Sequence, residues 1–499
     1  MTKQIYLTKS RYVNGLKCPK WIWLSFNNPS ELPKVDEATQ HRFDEGHKVG
    51  ELSKRLFPKG IEVKEQLAHQ KSDKETKELL KERKPLFEAG VIHKDGKCYA
   101  RADVLMPAGK DEWDIYEVKS ATEVKEDYLE DVSFQKYCYE SAGIKIRKCF
   151  ILHINNEYVR QGEIEPDEFF VKAEITDEVN DLMPEVPNKI KKFFDIINLK
   201  ECPEINKGED YHKDDLKVHD NDKFWQDNPD CDILDLYYGG KKALEWFNSG
   251  LLQIKDLTDK HKLNDKQKIQ HKVAKTGEHH YDKVELASFI KGLKYPLYFL
   301  DFESYNTAIP LYNGLKPYQQ IPFQFSLHVI PKKGAKQKHY SFIAEGAEDP
   351  RPQFIKELKK TLGTKGTILV YNQSFEQTVL KKLAEYLPLH QKWVDSVTKR
   401  MVDLLVPFRD FSYYHPKQKG SASIKNVLPV LTGVTYEDFE IANGNDASLS
   451  YLFITHGSYE GEKATLEEIK KVREDLSKYC GQDTEGMVWI LDKLNSLIK

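Results

Sequence analysis

Between residues 84 and 155 short apolar runs alternate with turns. The runs cover residues 90–93, 99–106 and 113–118; a helical stretch follows, and then a last run at 148–154. This order predicts strand, strand, strand, helix, strand, the grammar of an α/β core. Upstream, Phe43, Val49, Leu52 and Leu56 recur among charged residues and predict an amphipathic helix. From residue 203 to 294 the chain turns to Asp, Lys, His and Asn. Its sparse apolar anchors, among them Trp225, Leu234, Leu236, Tyr237, Trp246 and Phe247, predict a small helical connector with flexible parts. Strand patterning returns at 297–302, 323–330, 339–343 and 367–371, with helices to the C-terminus, predicting a second α/β core. The expected domains are therefore 1–200, 201–294 and 295–499.

Composition agrees with more than one core. The 499 residues, 39% hydrophobic and 31% charged, are too many for one ordinary domain and rich enough in apolar side chains to fill two. The formal net charge of −3 supplies no global attraction to a polyanion, so nucleic-acid binding would have to come from local basic patches. No apolar run approaches the roughly 20 residues of a membrane span, and no signal-peptide core follows the start, so a cytoplasmic protein without membrane contact is expected. Seven scattered cysteines suit a reducing compartment and buried thiols rather than a disulfide framework.

In the run Leu297-Tyr298-Phe299-Leu300-Asp301-Phe302-Glu303, residues two apart share a strand face, so Asp301 and Glu303 project together. Two adjacent carboxylates repel unless one is protonated or a cation lies between them, and such hard oxygen donors suit Mg²⁺ or Mn²⁺. Glu376 falls near the start of a helix that follows the 367–371 strand and Asn372. Tyr479 and Asp483, four apart, face one side of a late helix. In this order, the residues from 295 onward resemble the DnaQ-like 3′ to 5′ exonucleases, in the variant whose last motif is Tyr, three residues, Asp. The resemblance implies an RNase H-like fold. It also implies Asp301, Glu303, Glu376 and Asp483 as ligands of two Mg²⁺ or Mn²⁺ ions about 4 Å apart. Tyr479 would orient or deprotonate water, and Asn372 would support the site. Glu376 departs from the family, which usually has Asp there. Lys417, Lys419 and Lys425 lie in a basic loop that suits phosphate contact. Asp403 reads as structural. Tyr305, Tyr312, Tyr318 and Phe323 can stack on bases or pack a core.

The N-terminal half has its own cluster. Asp103 ends one predicted strand, and Glu117 and Lys119 share a face of the next. Two acids sharing a cation beside a lysine suit phosphodiester hydrolysis. Gln135 and Tyr139 follow one helical turn apart. The arrangement from residue 9 to 157 resembles the RecB-like branch of the PD-(D/E)XK nucleases. That likeness implies a restriction-endonuclease-like core, Asp103, Glu117 and Lys119 as catalytic residues with both acids on metal, and Gln135 and Tyr139 in support. Gly50 stands where that branch often has a metal-binding His, and His47 reads as a helix-surface histidine ahead of a substitute ligand. Cys18 resembles the upstream ligand of an iron–sulfur cluster. Only the widely spaced Cys202 and Cys231 follow before the second core, so no cluster is expected.

The combination resembles a family of uncharacterised bacterial proteins that join a RecB-like domain to a C-terminal domain of unknown function. The expected activity is metal-dependent nucleolysis of DNA or RNA. The expected alternative is a nucleic-acid-binding scaffold with one or both sites inactive.

Overall fold

The computed structural model describes residues 5–64, 68–203 and 232–499. The chain is mixed α/β and divides into two compact units, Met1–Gln226 with Thr307–Gln319, and Asp227–Asn306 with Gln320–Lys499. No described helix is long and apolar enough to cross a membrane.

The first unit holds a sheet of β1 (Leu7–Thr8), β2 (Ile61–Glu62), β3 (Leu86–Ile92), β4 (Cys98–Ala108), β5 (Glu112–Lys119), β6 (Lys145–Ile154) and β7 (Phe170–Glu174). The order is β2-β3-β4-β5-β6-β7, with β1 added to β4. Along one edge of β4, β5 pairs with Val104–Ala108 and β1 with Cys98–Tyr99. β3 runs along the other edge. Asp103 thus sits where β4 passes from one short partner to the other, and its carboxylate reaches the Val118 N–H of β5 beside that gap.

Helices α1 (Lys9–Lys17), α4 (Glu126–Ser141) and α5 (Val186–Ile197) cover one sheet face through Tyr12, Phe134, Cys138 and Phe193. On the other face α3 (Glu37–Lys54) contributes Val49. Helix α2 (Pro19–Asn27) follows α1 directly. The predicted amphipathic helix ends at Lys54, before Leu56, and Phe43 is half-exposed rather than on the buried stripe. The segment 307–319 joins this unit because the Arg160 N–H donates to the Leu315 carbonyl, the Arg160 carbonyl accepts the Gly314 N–H, and the Glu45 carboxylate accepts the Ala308 N–H.

In the second unit the stretch expected as a connector is largely helical where described, forms its own small apolar cluster around Ile233, Leu236, Ala243 and Phe247, and packs Val273 against Phe411 and Tyr414. It includes α6 (Asp265–Thr276) and α7 (Lys283–Lys291). β8 (His280–Tyr281) pairs with β14 (Tyr413–Tyr414), and Lys266 Nζ donates to the Arg409 carbonyl. Trp225 lies outside the described residues.

The central sheet here has the order β11-β10-β9-β12-β13, built from β9 (Leu297–Tyr305), β10 (Ile321–Ile330), β11 (Lys338–Ile343), β12 (Thr367–Val370) and β13 (Met401–Asp403). β9, β10 and β11 form an antiparallel meander, and β12 and β13 run parallel to β9. Strand periodicity divides β9 cleanly. Tyr298, Leu300 and Phe302 join a core with α8 (Arg351–Thr361) and α9 (Gln373–Tyr386). Asp301 and Glu303 face the opposite way with Ser326 and Gln324, their register partners on β10. The long C-terminal helix α12 (Leu466–Ile498) covers this polar face, and Gln324 Nε2 donates to its Leu476 carbonyl.

Leu300 is fully buried beside Asp301. Leu300→Ala is expected to cost about 3 kcal/mol through lost transfer energy and a residual cavity. Urea unfolding followed by tryptophan fluorescence checks this, and a loss under about 1 kcal/mol would show that β9 is not a core strand.

Candidate functional sites

Four carboxylates of the second unit come within electrostatic reach of one another around Asp301 and Glu303. Asp301 and Glu303 come from β9, Glu376 from the first turn of α9, and Asp483 from α12. Glu303, Glu376 and Asp483 are buried and Asp301 is partly so. Burial and the neighbouring Asp483 push Asp301 up to about 8. Glu303 rises well above the carboxylate range for the same reason, with Asp301 and Asp483 both beside it. Burial and Asp301 do likewise for Glu376, whose Oε2 has no hydrogen-bond partner. Asp483, up to about 6, is raised by burial and eased down by hydrogen bonds from Tyr436 and Tyr479 and by the Lys425 charge. This charge balance is poor as it stands: mutually repelling buried acids, one with an orphaned oxygen, are a donor set that fits a divalent cation.

Tyr479 lies on Asp483 as expected, and burial with the surrounding acids keeps its phenol protonated far above neutrality. Two partners escaped the sequence reading. Tyr436, from the loop between α10 (Ile424–Thr432) and α11 (Gly444–His456), donates a short hydrogen bond to Asp483 Oδ1. Nothing in its local sequence marks it. Cys480, adjacent to Tyr479 and fully buried, donates from Sγ to Asp301 Oδ2 at 3.5 Å.

The residues expected in support are placed differently. Asn372 takes a left-handed conformation at the entry to α9, and its side chain accepts from Ser374 rather than reaching the acids. Its backbone N–H, with that of Leu405, is taken up by Asp403, which is therefore occupied in holding the β12 and β13 ends. Of the three lysines, Lys425 neighbours Glu303 and Asp483 and stands over the Tyr436 and Tyr479 rings. Lys417 and Lys419 are exposed on a short 3-10 turn and its left-handed end. Tyr305 and Phe323 pack on Tyr451 in the core, and Tyr312 and Tyr318 belong to the first unit.

In the first unit Asp103, Glu117 and Lys119 do converge, in a cavity of about 540 Å³ lined also by Arg42, His47, Gly50 and Arg101. Lys119 Nζ bridges Glu117 Oε1 at 2.8 Å and Asp131 Oδ2 at 2.7 Å. Gln135 Nε2 bridges the same two acids, at 2.8 and 2.9 Å. Asp103 Oδ2 accepts the Val118 N–H at 2.7 Å.

Lys9 is the unforeseen member. Its Nζ lies 2.7 Å from Glu117 Oε1 and 3.5 Å from Asp103 Oδ1, because β1 sets the first residue of α1 against the gap beside β4. Burial alone would push Glu117 up, but the Lys119 and Lys9 ammoniums hold it well below the usual carboxylate range. Burial and that ionised neighbour push Asp103 up to about 7. Asp131 also escaped the sequence reading, although its place four residues before Gln135 on the same helix face was a signal; Lys9, 94 residues from Asp103, carried none.

Tyr139, expected to support the site, does not reach it. Instead of entering the cavity it is buried in the core, accepting the Ala102 N–H and donating to the Ala89 carbonyl, and so ties β3 to β4. Cys18 caps α2, its Sγ accepting the Trp21 N–H. Cys202 is partly buried, and Cys231 lies outside the described residues.

Comparison with known proteins adds a boundary rather than an activity. Residues 298–423 match a domain of unknown function (DUF2779). That stretch carries Asp301, Glu303 and Glu376 but stops short of Tyr479 and Asp483. The chain is 27% identical over 240 residues to the uncharacterized protein UU173 of Ureaplasma parvum, covering 43% of this chain and 33% of that one. It is 23% identical over 229 residues to the uncharacterized protein MG366 of Mycoplasma genitalium, covering 42% and 33%. The matches thus span about a third of the length of these curated relatives.

Proposed function

We propose that this chain is a divalent-metal-dependent nuclease acting on DNA or RNA. Its C-terminal site would trim 3′ ends in the manner of DnaQ-like exonucleases, and its N-terminal site would be of the RecB-like PD-(D/E)XK type. The observation that carries the reading is that Glu303, Glu376 and Asp483, from three separate stretches of sequence, all come within electrostatic reach of Asp301 or of one another in a buried region with an orphaned carboxylate oxygen. Evolved cores rarely hold such a charge cluster without a compensating ion. The antiparallel meander followed by two parallel strands is an architecture that an RNase H-like reading requires.

These four acids would hold Mg²⁺ or Mn²⁺, which when bound activates water and stabilises the leaving oxygen of a phosphodiester. Tyr479, kept neutral, orients water by hydrogen bonding and does not act as the base. Lys425, at the exposed margin, is placed to meet a phosphate. In the N-terminal cavity Lys119, fixed by Asp131, faces developing negative charge.

The scaffold reading draws on a specific observation there: Lys9 already neutralises Glu117 and approaches Asp103, so the N-terminal pair has a cation tethered to it. End-labelled DNA and RNA, single- and double-stranded, incubated with the full chain and Mn²⁺ or Mg²⁺ separate the two. A 3′-shortening ladder is expected that survives Asp103→Ala and disappears in Asp301→Ala. Retarded but intact substrate under every condition would leave the scaffold.

A further inference from the structure

We propose that the C-terminal cluster is a mixed oxygen–sulfur cation site in which Cys480 joins Asp301 and Glu303, so that it prefers a thiophilic divalent ion such as Zn²⁺ or Co²⁺ over Mg²⁺. This rests on the cation site inferred above and specifies its chemistry.

The donor atoms of Asp301, Glu303 and Cys480 all lie within 4.8 Å of one another. With a metal–sulfur bond of about 2.3 Å and a metal–oxygen bond of about 2.1 Å, a tetrahedral ion separates S and O by roughly 3.6 Å. Cys480 Sγ and Asp301 Oδ2 are 3.5 Å apart. Mg²⁺ demands oxygen donors in octahedral array, whereas a thiolate selects softer ions. Cys480 and Asp483, three apart on α12, share a helix face, so the sulfur comes from the same side as an acid already in the cluster.

Independently of the sulfur, Glu376 is almost wholly buried, its Oε2 has no hydrogen-bond partner, and its charge is close enough to Asp301 to repel it. That orphaned oxygen calls for a cation whether or not Cys480 takes part. Ligation by sulfur is balanced by loss of the thiol proton: M²⁺ and Cys–SH give a metal–thiolate bond and H⁺, which passes through Asp301, the present acceptor of that proton, to solvent.

Cobalt substitution tests this without reference to nuclease activity. Co²⁺ added to the metal-free full chain is expected to give visible ligand-field bands and a near-ultraviolet sulfur-to-cobalt charge-transfer band. The charge-transfer band should vanish in Cys480→Ser, while cobalt remains bound by equilibrium dialysis. It should also vanish in Asp301→Ala, which distinguishes this thiol from the chain's other cysteines. The preference for Zn²⁺ over Mg²⁺ should fall at least about tenfold in Cys480→Ser, with Mg²⁺ affinity unchanged. Should that variant fold poorly by circular dichroism, the wild-type and Asp301→Ala spectra decide alone. Cobalt bound without the charge-transfer band, or with a band that persists in Asp301→Ala, overturns the sulfur ligand but leaves an oxygen site. No bound cobalt, zinc, manganese or magnesium overturns the cation site itself, and this proposal with it.

Discussion

Asp301→Asn is expected to lower metal-dependent 3′-end hydrolysis by about a thousandfold, an effect of ~4 kcal/mol on the barrier. The substitution keeps shape and volume on β9, so the loss would come from one ionised ligand and not from repacking. Asp301 is the natural place to expect it, because its charge reaches Glu303, Glu376 and the Cys480 thiol together. A local defect there is shared by the whole cluster. Single-turnover cleavage of an end-labelled strand at saturating Mn²⁺ measures the effect, and circular dichroism confirms the fold. A rate within about threefold of wild type would remove Asp301 from the reaction.

Stability should respond even more visibly to pH and metal. Asp301 is held at about 8 and Asp483 at about 6, against about 4 in an unfolded chain. Glu303 and Glu376 shift the same way. For an acid whose folded pKa is raised, both states are protonated at low pH and nothing is lost. As pH climbs past about 4 the unfolded chain ionises first, the folded state keeps the extra protons, and stability falls until the folded groups ionise too, near pH 8. The metal-free second unit is therefore expected to melt at a lower temperature at pH 8 than at pH 5, by a margin worth several kcal/mol at most. Mn²⁺ should reverse the trend, since it binds the ionised acids of the folded state alone. Asp301→Asn should flatten the pH slope and shrink the metal-induced rise. Melting in chelator and in Mn²⁺ across that range is the measurement; a metal-free protein more stable at pH 8 than at pH 5 would contradict the charge balance described here. In the first unit Glu117, held low by Lys9 and Lys119, changes stability only below about pH 4, whereas Asp103, held up to about 7, adds a fall in the same direction over this range, so the two transitions should be followed separately.

Much of this was legible along the chain. Asp301 and Glu303 share a face because strand geometry has a period of two, and Tyr479 and Asp483 because a helix returns after four residues. The strand order around Asp103 and Glu117 followed from apolar runs and turns, with strand ends that moved by a few residues. Gln135 reaches Glu117 and also donates to Asp131, one helical turn away on the same face of α4. Tyr139 shows where spacing stops being informative. It continues the same helix face, yet one turn further along that face points into the core between β3 and β4 instead of into the cavity.

Local periodicity, then, determined by itself which side chains stand together on one strand or one helix, and so announced two acidic clusters and the α/β character of the chain. Only the tertiary structure decided what surrounds each carboxylate. The β1 pairing carries Lys9 to Glu117, a loop brings the Tyr436 hydroxyl to Asp483, and the seating of α12 on β9 sets the Cys480 thiol against Asp301. The segment 307–319 crosses to the first unit through backbone hydrogen bonds that leave no mark on side-chain pattern. The reason is physical: periodicity acts over one turn or one pleat, whereas electrostatic and hydrogen-bond partners are chosen by packing between segments far apart in sequence, after the hydrophobic faces have already found each other.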